Sequence, residues 1–307
     1  MTKMKIFKDE KLNNDYLENG YVILKIFNRK QLREIKKYTK NMLKDKMFNS
    51  FDFSTLPNIH TPDEQCVDVY NFFDKKMKEG LDKYLTQDYE FFNSVLLVKK
   101  TKSTNFHWHI DPSFYDQKKY EKPFAIWAGI DKTTPSNGCL QVVPKSHKLA
   151  FNHEPFSFLT LGNGKKENLS SVYDELIRKY AIDVVLEKGE VIIHDQALIH
   201  ASRPNNSWLK KRIAFKLTYA PKHVNEFEMA LFDNTNNELN KYRFKREDLS
   251  YYGARTFGNY INNFQQMKDQ LISQKPQKEI KQPFQSLPEM EAIMNTPLHT
   301  LKANFEL

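Results

Sequence analysis

SVLLVKK (residues 94–100), NFHWHID (105–111), PFAIWAGID (123–131), CLQVVP (139–144), IDVVLEKGEVIIHD (182–195) and RIAFKLTYA (212–220) decide the fold. Each is a short run of branched and aromatic residues, of strand length rather than helix length. Together they predict an all-β core from about Asn93 to Tyr219. One interruption, residues 151–180, carries a glycine-containing loop (LGNGKKENLS) and a short helical stretch ending near Tyr180. It reads as an insertion beside the core.

Outward from this core the texture is helical. YVILKI (21–26) is one more strand-like run, and Asn28 then sits where an N-cap belongs, ahead of a helix with Leu32, Ile35, Tyr38, Met42 and Leu43 on one face. Thr61-Pro62-Asp63-Glu64 announces a second helix: an N-cap Thr, Pro at the first helical position and Glu at the capping-box position. It is expected to run through Tyr70, Phe73 and Met77. Beyond Pro221 the spacing of Phe257, Ile261, Phe264 and Leu271 predicts a further helix, ended by Pro276. The expected class is therefore mainly β with flanking helices. Residues 1–221 form the core with its N-terminal helices and the insertion near 151–180. Residues 222–307 form a helical extension that packs on or covers the core, with a poorly ordered end.

A chain of 307 residues can bury a substantial core without staples. Its two cysteines, Cys66 and Cys139, are far apart and lack C-x-x-C spacing, which argues against a disulfide framework or a thiolate zinc site. With no apolar run of signal-peptide or membrane-span length, a cytoplasmic protein without a membrane partner is expected. The formal charge is +9. It favours an anionic small molecule or an acidic carrier as partner, yet the lysines are scattered among Asn, Asp and Glu, which reads as a solvated surface before a nucleic-acid footprint.

Chemistry concentrates at Trp108-His109-Ile110-Asp111. In a strand, residues two apart point to the same side, so His109 and Asp111 can converge on one first-row divalent ion. His107 shares their phase. A second histidine, His194 or His200, would complete a two-histidine, one-carboxylate face; a lone H-x-D, by contrast, is commonly a satisfied pair without metal. Arg212 lies on an alternating strand after His200 and has the planar fork for the far carboxylate of a keto acid, and Ser202 lies on the same side as His200. Phe106, Trp108, Phe114, Tyr115 and Trp127 can line a substrate pocket or simply fill the core.

Taken together, NGYVILKIF (19–27), WHID, IWAGID (126–131), NGCLQVVPKSHK (137–148), HASRPNNS (200–207) and RIAFKLTY resemble the phytanoyl-CoA dioxygenase-like oxygenases over roughly residues 19–219. The resemblance implies a double-stranded β-helix, the cupin-like jelly roll, with Fe(II) held by His109, Asp111 and His200. It implies 2-oxoglutarate bound by Arg212, with Trp127 and Ser202 as secondary contacts. His107, Phe114 and Tyr115 are then candidates for the substrate side, and His147 for bracing a loop. Two departures stand out: Pro144-Lys145-Ser146-His147 where the family often has Pro-Gly-Ser-His, and a His200-to-Arg212 interval one residue long, which makes Lys211 a rival anchor. The implied reaction uses Fe(II), 2-oxoglutarate and O2 to hydroxylate a C–H bond, with release of succinate and CO2. Desaturation or cyclisation is the alternative outcome, and a catalytically silent metal- or ligand-binding protein the alternative class. Asp111 argues against halogenation, and Thr218 stands where nucleic-acid demethylases of this chemistry have a second arginine. The implied substrate is a small molecule, free or tethered to CoA or a carrier protein. The sequence sets no oligomeric state.

Overall fold

The structure is a computed structural model and describes residues 5–43, 53–56, 63–86, 89–111, 123–148, 177, 179–233, 238–245, 271–276 and 287–295. Its centre is two antiparallel sheets. In the larger, β1 (Tyr21–Lys25), β2 (Phe53–Leu56), β3 (Tyr89–Lys99), β5 (Phe124–Gly129), β8 (Glu190–Asp195) and β10 (Arg212–Pro221) pair in the order β1-β8-β5-β10-β3-β2. In the smaller, β4 (Phe106–His109), β6 (Leu140–Val142), β7 (Ile182–Val184) and β9 (His200–Ser202) pair as β4-β9-β6-β7. Every neighbour in both sheets is antiparallel and mostly non-consecutive in sequence, so the chain passes repeatedly between the two layers. This is the expected jelly roll.

Two-residue alternation sorts each strand between two cores. Phe215 and Leu217 of β10, Ile126 of β5 and Val191 and Ile193 of β8 face outward into one cluster with Ile35, Phe73 and Met77. Ile35 belongs to α2 (Arg29–Met42), and the other two to α3 (Asp63–Leu81). The alternate residues, Trp127, Ile192 and Ala214, face inward and meet Leu140, Val142 and Val184 of the smaller sheet. Helices thus seal one face of the large sheet, which leaves the inter-sheet space to hold a site.

The N-terminal expectations hold where they can be seen. Asn28 caps α2 in a reciprocal box: its side chain accepts from Gln31 N at 2.9 Å, and the Gln31 side chain accepts from Asn28 N at 3.0 Å. Thr61 and Pro62 lie outside the described residues. An earlier helix, α1 (Glu10–Asn19), escapes sequence reading because two of its four buried residues, Asn13 and Asn19, are polar. Asn13 earns burial by accepting from the backbone N–H groups of Ile6 and Phe7. α1 ends at Gly20, whose φ of +81° places it in the left-handed region; a Cβ there would lie 2.4 Å from His147 Nδ1. His147 does brace this corner, donating from Nε2 to Leu17 O at 3.0 Å.

The helical reading of the C-terminal part needs correction. Glu226–Asp233 (β11), Glu238–Lys245 (β12) and Leu271–Pro276 (β13) form a three-stranded antiparallel sheet, so Leu271 opens a strand rather than closing a helix. EFEMALFD places Phe227, Met229 and Leu231 two residues apart, a strand period that the four-residue spacing of the later aromatics overshadowed. Phe257, Ile261 and Phe264 lie outside the described residues. A helix does follow, α4 (Leu287–Met294), and it packs on the core: Met294 clusters with Ile110, Val143 and Ile199, while Tyr180 donates to Asn295 at 2.7 Å.

Candidate metal and cosubstrate site

The site lies between the two sheets, on inward positions of β4, β9 and β10. His109 ends β4 directly opposite His200, the first residue of β9. Their ring centroids are 4.1 Å apart. Asp111 follows two residues later and is pinned by its own N–H donating to Gln196 O at 2.8 Å. Each of the three offers a ligand atom, and these atoms lie within 4.8 Å of one another.

The protonation pattern suits a cation. His200 Nδ1 donates to Leu198 O at 2.8 Å, which leaves the Nε2 lone pair turned to the site, 3.7 Å from Asp111 Oδ1. Burial lowers the His200 pKa well below the usual imidazole value, with neighbouring His109 adding to the effect, so the ring is neutral. Asp111 is buried, and its Oδ2 accepts no hydrogen bond from the described residues. Burial by itself would raise the Asp111 pKa; the opposing charge, chiefly Lys216, outweighs it and holds the carboxyl below the ordinary carboxylate range. A buried ionised oxygen without a donor beside a free imidazole lone pair is a donor set for a first-row divalent metal.

His194, the rival ligand, sits one strand away. Its ring centroid is 4.9 Å from that of His200, its Nδ1 donates to Asp195 O at 2.9 Å, and burial lowers its pKa as well. It backs the cluster without joining it. His107 falls on β4, where the pairing with β9 is irregular between Phe106 and His109: three steps along β4 match two along β9. The His107 side chain, together with Phe114 and Tyr115, lies outside the described residues.

Alternation along β10 places Arg212, Ala214 and Lys216 on the inner face. Arg212 is 5% exposed, with its guanidinium carbon 5.3 Å from the Trp127 ring centroid, and its Nε and Nη1 have no acceptor among the described residues. Burial lowers its pKa to about 10, still well above neutral. Lys211, the rival for the same role, is exposed, whereas Arg212 is buried. Directly across the ladder from Arg212 is Lys99 of β3, 1% exposed. Its Nζ donates to Ser202 Oγ at 2.9 Å and to Arg203 O at 2.5 Å. Burial, then the Arg212 charge, lowers the Lys99 pKa to about 7. Gly138, at φ +88°, keeps this corner open, because a Cβ would stand 3.1 Å from Lys99 Cδ and 3.7 Å from Arg212 Nε. Nearby Cys139 is buried, and burial pushes its thiol up to about 12, so it offers no thiolate.

Two site residues went unnoticed in the sequence. Lys99 is one of an adjacent lysine pair, and only the register of β3 on β10 tells which turns inward. Lys216, whose ammonium contacts Asp111 Oδ1, was legible: it shares the parity of Arg212.

The chain is similar to several known proteins. The family model described as phytanoyl-CoA dioxygenase (PhyH) matches residues 16–214. Human peroxisomal phytanoyl-CoA dioxygenase is 24% identical over 140 residues, 45% of this chain and 41% of that protein. A phytanoyl-CoA dioxygenase domain-containing protein 1 homolog from Caenorhabditis briggsae is 26% identical over 142 residues, 44% of this chain and 46% of that protein. The match thus spans less than half the length of these curated relatives. Among solved structures, HygX from Streptomyces hygroscopicus with nickel and 2-oxoglutarate bound has a TM-score of 0.48 at 14% identity, covering 70% of this chain and 88% of that one. EctD from S. alaskensis with 2-oxoglutarate and 5-hydroxyectoine has a TM-score of 0.47 at 18% identity, covering 72% and 78%. Because the family match extends over most of both sheets and takes in all three clustered residues, the chain belongs to the phytanoyl-CoA dioxygenase family.

Proposed function

We propose that this chain is an Fe(II)- and 2-oxoglutarate-dependent dioxygenase that hydroxylates a C–H bond of a small, anionic or carrier-tethered molecule. The observation that carries the reading is a pair of buried basic side chains, one a guanidinium and one a lysine that an arriving anion would charge. Arg212 and Lys99 are both buried, face each other across one ladder, and two Arg212 donors have no acceptor among the described residues. Buried cations without a counter-charge are costly, and the cost is relieved when an anion enters. A carboxylate with its other end at a metal held by His109, Asp111 and His200 meets that need, as 2-oxoglutarate would.

The bound metal and keto acid would supply the oxidising chemistry, consuming O2 and releasing succinate and CO2. The protein's part is binding, orientation and exclusion of water. Arg212 offers its fork to the far carboxylate, Trp127 supports the guanidinium plane, and Lys99 with Ser202 closes the other side. Residues 1–221 are read as the oxygenase core, with the C-terminal part as an extension beside it: Met294 of α4 packs on Ile110, between the two ligand positions His109 and Asp111. No helix among the described residues is long and apolar enough to cross a membrane.

The test is succinate formation from 2-oxoglutarate with Fe(II), coupled or uncoupled, alongside anaerobic binding of 2-oxoglutarate. His109→Ala should abolish turnover. Arg212→Met should weaken cosubstrate binding while leaving metal binding in place. Wild-type protein that binds metal but neither binds nor consumes 2-oxoglutarate would establish the silent alternative.

A further inference from the structure

The segment between β9 and β10 ends in a tip that the proposed reaction does not use. Trp208 is 80% exposed and Leu209 90% exposed, adjacent residues of a kind that folding normally covers. The tip is held firmly. Asn205, fully buried, donates from Nδ2 to Lys100 O and Lys210 O, each at 2.9 Å, and its N–H donates to Ser103 O at 3.2 Å. Asn206 N donates to Ser136 O at 2.9 Å, and Ser207 Oγ accepts from Lys210 N at 3.0 Å. So the exposed pair is a presented feature of a tied turn.

Its surroundings are basic. The bonds to Asn205 bring the 100–103 turn alongside, and Lys102, in left-handed backbone at φ 56°, sets its ammonium 3.2 Å from the Trp208 ring centroid. Lys210 and Lys211 follow the tip and are exposed, and Lys100 lies in the same turn. No Asp or Glu occurs in residues 91–110 or 196–225, nor in residues 132–138 of the turn packed against Asn206. Asp183 reaches this region but is taken by Arg203 at 2.8 Å.

We propose that the Trp208–Leu209 tip with Lys102, Lys210 and Lys211 is a docking point for an anionic lipid surface. An amphipathic indole suits the headgroup level, Leu the first layer of acyl chain, and lysines around them the negative surface potential. The tip is convex and only two residues wide, which fits a soft, deformable surface. A protein partner would need a complementary pocket and a contact on the order of 800 Å² per side. The tip leaves from the Arg212–Lys99 end of the site, so it tethers the protein and does not feed substrate past the metal-binding residues. A surface contact needs no spanning helix, and none among the described residues is long and apolar enough to be one.

The test is co-sedimentation of the full chain with vesicles of phosphatidylcholine alone and of phosphatidylcholine containing a minority of phosphatidylglycerol. Binding is expected only to the second, weakening as salt is raised. The double variant Trp208→Ala, Leu209→Ala should bind at least about tenfold more weakly. Lys210→Gln with Lys211→Gln should lose on the order of thirtyfold, from about 1 kcal/mol for each lysine near an anionic surface. Tryptophan fluorescence of the wild type should shift blue with the anionic vesicles and not with the neutral ones. Succinate formation in solution should stay at the wild-type level in both variants, since none of these residues touches the site. Absence of binding to anionic vesicles overturns the proposal, as does binding that survives both variants. Loss of self-association in the Trp208 variant without any vesicle binding would assign the tip to a second copy instead.

Discussion

Lys99 provides the sharpest test of how the closed end of the site works. Its pKa, lowered to about 7, reflects burial and the Arg212 charge opposite. At pH 8 it is about nine-tenths neutral, and at pH 6 about nine-tenths charged. A carboxylate arriving between Arg212 and Lys99 favours the charged form and raises that pKa towards its ordinary value of 10.5. Binding of 2-oxoglutarate should therefore take up about 0.9 proton at pH 8 and about 0.1 at pH 6, and its affinity should fall roughly tenfold per unit as pH rises from 8. The assay is isothermal titration of 2-oxoglutarate, with nickel in the metal site, in buffers of different ionisation enthalpy. Lys99→Met should abolish the pH-8 proton uptake. Equal uptake at pH 6 and 8, or uptake undiminished in Lys99→Met, would refute the argument. The same group acts on the free protein with a definite sign. A lysine whose folded pKa is lowered leaves the unfolded chain binding more protons between about pH 7 and 10.5, so stability should rise with pH across that window.

Three further outcomes follow from the packing and charges. Arg212→Met should weaken 2-oxoglutarate binding by on the order of a hundredfold or more, because a fully desolvated charged pair costs about 2–5 kcal/mol to break, while nickel affinity measured without cosubstrate changes little. Lys216→Met leaves the buried Asp111 without its ammonium, so the metal-free protein should lose about 3 kcal/mol and recover most of it in thermal melts with saturating nickel, which replaces the counter-charge. In the unsubstituted, metal-free protein the depressed Asp111 pKa makes this contribution complete above the usual carboxylate pKa and lost as pH falls below it. Phe215→Ala removes a ring that is fully buried against Phe27 and Phe73 at the helix-covered face. It should cost about 3–5 kcal/mol in denaturant unfolding while 2-oxoglutarate binding to the remaining folded protein persists.

Local chemistry was legible wherever it repeats with the period of its element. RIAFKLTY states by alternation that Arg212 shares a face with Lys216 and opposes Phe215, because side chains on a strand change sides at every residue. Asn28 and Gln31 announce a helix start, because capping needs only residues three apart. WHID brings His109 and Asp111 close for the same short-range reason. Even so, the strand pattern of EFEMALFD was passed over for the wider spacing of aromatics downstream.

What remained undecided depends on which strand lies beside which. His200 lies with His109 and Asp111, and His194 does not, because β9 pairs with β4 while β8 pairs with β5 in the other sheet. Lys99 rather than Lys100 faces Arg212 because β3 and β10 pair in that register, and a slip of one residue would reverse the choice. The sequence by itself therefore determined the strand segments, the nearness of the His109 imidazole to the Asp111 carboxylate and the inward parity of Arg212. Only the tertiary structure decided the partner of each, because ligand convergence and counter-charge are set by contacts between residues about a hundred positions apart, such as Lys99 and Ser202 or Asp111 and Lys216.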